Sequence, residues 1–152
     1  PSRIMGSPYH NLDSRLEAAL SEVITDAISG GTLSLTNHGV IRTGIDYQAR
    51  EENCIVCHVS NADEYVERSG MWRATCSVNV YTNIDATNAT TAHKGNIARI
   101  RDLFMDSDIA ATLTATDESI LATAAVNYSI SNDVEDRFAV GGLTFDVIVS
   151  PE

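Results

Sequence analysis

The run from Met71 to Thr82, MWRATCSVNVYT, constrains the fold more than any other part of this chain. Trp72, Ala74, Cys76, Val78 and Val80 alternate with Arg73, Thr75, Ser77 and Asn79. Side chains two apart on a strand share a face, so this segment has one apolar and one wet side. It predicts a strand of an antiparallel sheet that is covered on one side only.

What covers that side is written as helices before and after the strand. From Leu12 to Ser29, Leu12, Leu16, Ala19, Leu20, Val23, Ile24, Ala27 and Ile28 recur at three-to-four spacing, the stripe of an amphipathic helix. Asn11 or Asp13 is placed to cap it and Gly30–Gly31 to end it. A second helix from about Ala89 to Phe104 carries Ile97, Ile100, Leu103 and Phe104. Asp106–Ser107–Asp108 breaks it, with Ile109 and Leu113 packing beneath. Cys54–Ser60 is a compact strand with Ile55, Cys57 and Val59 on one side. Asn61–Gly70 is expected to loop back to the Trp72 strand. Two further strands follow, with Val126, Tyr128 and Ile130 on one face of the first and Leu143, Phe145, Val147 and Val149 on one face of the second. The charged stretch Asp133–Gly142 joins them, Gly141–Gly142 forming its last turn. Leu33/Leu35 and Val40/Ile41 are candidates for short strands. The expected fold is α+β, an antiparallel sheet of about four strands with two helices on one face. Residues 1–10 form a flexible arm and residues 11–152 a single domain.

The 152 residues allow roughly 70% of the unfolded surface to be buried without disulfides or metal. No apolar run approaches a membrane span. The first residues lack the layout of a secretory signal, so cytoplasmic synthesis is the simplest expectation. A net charge of −11, with Lys94 the single lysine, argues against the concentrated basic surface that nucleic acid requires.

Chemistry is sparse. Cys54-Ile-Val-Cys57-His58 matches the C-x-x-C-H pattern of covalent haem attachment. On a strand, however, residues three apart point to opposite faces, so the two thiols diverge. Cys54, Cys57, His58, Cys76 and His93 include ligand types for zinc, with the same geometric objection. Asp133, Glu135 and Asp136 lack the spacing of a calcium loop and read as a charged hairpin. His93 reads as a surface or capping histidine. No nucleophile elbow, phosphate loop, dinucleotide fingerprint or H-E-x-x-H is present. Neither an enzyme nor a cofactor is expected.

Several segments fall in a recognisable order. Gly70-Met-Trp-Arg leads into the alternating strand, and His93 precedes Asn96-Ile-Ala-Arg-Ile-Arg-Asp-Leu-Phe104. Asp108-Ile and Leu113 follow. Val134-Glu-Asp-Arg-Phe138 precedes the strand Leu143–Val149, and Pro151 closes the pattern. In this order the chain resembles the small tail-terminator and neck (head–tail joining) proteins of tailed bacteriophages. The resemblance implies a structural virion protein, made in the host cytoplasm. It would form a homo-oligomeric ring, commonly a hexamer, that caps the tail tube and joins it to the head connector. DNA would pass through the lumen without sequence-specific binding, and no membrane is involved. Residues of the two charged loops are the expected contacts with neighbouring rings: Asp63, Glu64, Glu67 and Arg68 in one, Asp133, Glu135, Asp136 and Arg137 in the other. Rival readings are a head-completion or adaptor protein, a tail-tube-like subunit, a monomeric cytoplasmic binding module, and a c-type haem protein built on Cys54, Cys57 and His58.

Overall fold

A computed structural model describes residues 11–35, 40–44, 53–65, 70–84, 89–106, 108–118, 120–135 and 138–150. The order is α1 (Leu12–Ser29), β1 (Val40–Thr43), β2 (Cys54–Glu64), β3 (Trp72–Asn83), α2 (Ala89–Asp106), α3 (Ile109–Thr116), β4 (Ala122–Glu135) and β5 (Phe138–Val149). The strands form one sheet in the order β1-β2-β3-β5-β4. All neighbours are antiparallel except β1 and β2. The α+β architecture is the expected one, and the sheet is mixed, with a fifth strand. β1 forms at the candidate pair Val40/Ile41 and is only four residues long. It pairs in parallel from Val40↔Cys54 to Thr43↔Cys57. Leu33 and Leu35 form no strand; Leu33 folds into the core instead.

The apolar sheet face carries Ile55, Cys57, Val59, Ala74, Cys76, Val78, Val80, Leu143, Phe145 and Val147, all buried. Leu16, Leu20 and Ile24 of α1, Ile100 and Phe104 of α2 and Leu113 of α3 pack on it in one continuous cluster. The chain breaks between α2 and α3 at Asp108, whose Oδ1 accepts a bond from the amide of Ala111 and so caps α3. This gives the apolar Ile109–Leu113 segment a helix of its own, a third one. At α1 the expected side-chain cap is absent. Asn11 occupies the cap position in a left-handed conformation with no side-chain bond, and Asp13 Oδ1 accepts from the Ser14 amide.

Two expectations about strand ends are corrected. β2 runs through Asn61 to Glu64, with Asp63 opposite Arg73 and Glu64 opposite Trp72. At the other hairpin, β4 continues to Glu135 and β5 begins at Phe138, so Gly141–Gly142 lie within a strand and form no turn. Charged residues persist at both strand ends because these ends are exposed on both faces: Asp63 and Glu64 on β2, and Ser129 to Asp133 on β4. Val126 also fails to share a face with Tyr128 and Ile130. Asn127, at φ 60°, is the extra residue of a bulge between Val126↔Asp146 and Ser129↔Thr144. Tyr128, against Phe145, and Ile130, opposite Leu143, share the helix side of the sheet as expected, while the bulge leaves Val126 on the other face opposite Asp146.

Trp72 shares the inward face of β3 but is only partly buried. It lines an open hollow of ≈390 Å³ with Leu12, Val59 and Ala62. A fully buried tryptophan loses about 3–5 kcal/mol on truncation. Trp72→Ala is therefore expected to cost less, about 1–3 kcal/mol in urea unfolding. A loss above about 4 kcal/mol would mean that the ring is sealed in the core.

Candidate functional site

Strand β2 separates the residues of the haem-like motif. Cys57 joins the main core, whereas Cys54 lies on the other sheet face with Val56 and Tyr81. Cys54, Cys57 and Cys76 are free and buried. Burial pushes the Cys57 thiol from 9.0 up to about 12, and the Glu17 carboxylate adds to the rise. Burial also raises Cys76, helped by Asp146, Cys57 and Glu17. Thiolate is the species that binds metal or attacks a reagent, so these two sulfurs are held in the wrong form for either. Among the described residues, no group of three His, Cys, Asp or Glu side chains is placed to hold a metal ion. Two consequences are measurable. Native protein at pH 8 should leave Cys57 and Cys76 unreactive toward a disulfide reagent, and both should react once it is unfolded. A raised folded-state value means the folded chain holds its proton longer. The stability from Cys57 is thus complete below pH 9.0 and drains away as the pH rises toward about 12.

His93 is buried, contrary to the expectation of a surface position. It stands on the first turns of α2, with Nδ1 2.8 Å from Thr82 Oγ1 of β3 and Nε2 3.2 Å from Asn132 Oδ1 of β4. A neutral ring satisfies both by donating from Nε2 to the amide oxygen and accepting from the hydroxyl at Nδ1. The contact ties α2 to two strands.

Of the residues expected in loop contacts, Asp63 and Glu64 stand exposed at the end of β2, and Asp133 stands exposed on β4. Glu135 ends β4. Glu67, Arg68, Asp136 and Arg137, like the expected arm 1–10, lie outside the described residues. The two acidic groups are on different strands and do not form one site.

What the fold does build is a pair of unlike sheet edges. On the β1 side the edge strand is short, and β2 is capped beyond its end. β1 ends at Thr43, and the Gly44 amide donates to the Cys57 carbonyl at 3.0 Å. One step further, Glu17 of α1 accepts from the Val59 amide at 2.9 Å through Oε2, which also lies 3.1 Å from His58 Nδ1. A carboxylate thus takes the place of a neighbouring strand.

On the β4 side the first half is also blunted. The Ala122 amide donates to Thr114 Oγ1 at 3.1 Å, and bulges follow at Thr123 and Asn127. From Ser129 to Glu135, however, β4 is regular, and among the described residues it pairs only with β5. Its side chains from Ser129 to Asp133 are exposed, Ile130 by 50%. Long edges without lysine, proline or bulges are unusual on a protein that stays alone. Beside this edge a shallow groove of ≈170 Å³ runs between α2 and β4, lined by Lys94, Ile97, Ala98, Arg101, Ile130 and Asn132. Loop charge alone pointed elsewhere. The available signal was Lys94, Arg99 and Arg101, three of the chain's ten basic residues within eight positions. Compared with known proteins, the chain matches no family model and no curated sequence.

Proposed function

We propose that this chain is a structural virion protein of a tailed phage, a tail terminator whose ring caps the tail tube and meets the head connector. The observation that carries the reading is the asymmetry of the sheet edges. One edge strand is only four residues long, with the Val59 amide beyond it capped by Glu17, whereas the other is regular over Ser129–Glu135 beside an exposed isoleucine and, among the described residues, pairs on one side only. Unlike edges suit head-to-tail association, which closes into a ring when the rotation between subunits permits. The ordered resemblance adds support, since its segments fall on β3, α2, α3 and β5. A chain of net charge −11 also suits a lumen that DNA crosses without sticking.

Light scattering over a concentration series tests the reading, followed by mixing with purified tail-tube protein of the same virion. A mass near six subunits, or a ring formed on the tube, is the expected result. A monomer that ignores the tube at every concentration would overturn the reading.

A further inference from the structure

The two flanks of the sheet differ in the length of their edge strands and in the charges nearest to them. Helix α1 packs over β1 and β2 at one edge, while α2 and the regular half of β4 frame the groove at the other. Three acids stand exposed on α1, Asp13, Glu22 and Asp26, against one partly exposed base, Arg15. Over residues 89–101, α2 carries Lys94, Arg99 and Arg101 and no acid. Lys94 and Arg99 are exposed, and Arg101 lines the groove with its guanidinium on Asp102 at 3.0 Å. In a chain with 21 acidic and 10 basic residues, a groove lined by Lys94 and Arg101 with no acid in its lining is the exception, although Asp102 and Asp133 stand close by. It sits across the sheet from a helix whose outer face is mainly negative, its one base, Arg15, lying 4.0 Å from Asp117.

We propose that the α2–β4 groove receives the outer face of α1 from a second copy of this chain, so that each subunit presents both halves of one repeated contact. The inference rests on the ring reading above and names its subunit interface. The basic lining of the groove and the acids on the outer face of α1 orient the encounter and disfavour pairing of like with like. Ile130 supplies an apolar centre, and the small side chains Ala18 and Thr25 on the outer stripe of α1 leave room for it. Nucleic acid is the weaker occupant, because Asp133 is exposed on the same strand as Ile130 and the whole chain repels phosphate.

Charge exchange tests it. One variant carries Lys94→Glu and Arg101→Glu, making both flanks acidic; the other carries Glu22→Lys and Asp26→Lys, making both basic. All four positions are exposed or half-buried, and circular dichroism verifies that each variant is folded. Light scattering should show each variant alone losing assembly, its midpoint moved at least about tenfold upward in concentration. An equimolar mixture should regain it, because each acidic groove then meets a basic helix and each native groove a native helix. Two folded variants that assemble like the parent would overturn this interface while leaving the ring reading standing. Loss of assembly without recovery on mixing would overturn the pairing of α1 with the groove. A parent that stays monomeric alone and on the tail tube would overturn both.

Discussion

Gly142→Ala should destabilise this protein by at least about 3 kcal/mol, among the larger effects a single methyl can have. Gly142 lies within β5, opposite Asn79 of β3 and Ser131 of β4. A β-carbon there would fall 2.0 Å from the carbonyl oxygen of Val78 and 2.9 Å from the α-carbon of Asn79. Both obstacles are backbone in the middle of the sheet, so no side-chain rotation relieves the overlap. The strands must separate or the residue must leave the ladder. At about 2–4 °C per kcal/mol for a chain of this size, the thermal midpoint should fall by roughly 6–12 °C. A shift under about 2 °C would mean that β3 and β5 are not so closely apposed. The same close approach explains why a Gly-Gly pair, which in sequence looks like a turn, sits in a strand. At Gly141 a β-carbon would meet the Ser131 carbonyl at 2.6 Å and Ile97 Cδ1 at 2.8 Å. Gly141 lets β4 and α2 close onto β5, and Gly142 does the same for β3.

That pair shows where sequence reasoning stops. The stripe of α1 and the alternation of β2, β3 and β5 are local patterns, and the structure follows them almost residue for residue. Features that depend on partners remote in sequence are another matter. β1 needs β2 beside it before four residues count as a strand. The Asn127 bulge is defined only against Thr144–Asp146. His93 is buried because Thr82 and Asn132 arrive from two other elements. Strand order is likewise invisible to periodicity, so the open edge of β4 and its groove could not be seen. Without that order, loop charge was the available guide to contact surfaces. It selected Asp63, Glu64 and Asp133, which the fold distributes over two strands. Lys94 and Arg101 acquire meaning only once α2 is known to lie next to Ile130.

Phe145→Ala should cost about 3–5 kcal/mol, measured by urea unfolding, because it removes the residue on which three elements converge. Phe145 is fully buried at the centre of the inward face of β5. Its ring lies 5.5 Å from that of Phe104 on α2 and 5.3 Å from that of Tyr128 on β4. Tyr128 in turn donates its hydroxyl to the Phe104 carbonyl at 3.0 Å, so each pair in the trio is joined directly. Aromatic contacts of this kind add about 0.5–1.5 kcal/mol beyond area, so a Phe104/Phe145 double-mutant cycle should return a coupling in that range. Additive losses would mean that the rings share a core without acting on one another. Phe104 and Tyr128 belong to α2 and β4, the two elements that line the groove. Phe145→Ala should therefore also speed hydrogen exchange at the amides of β4 from Ser129 to Asn132. A variant that loses stability with no change in exchange there would separate the aromatic trio from the open edge, leaving the His93 contacts to Thr82 and Asn132 to hold the groove in shape.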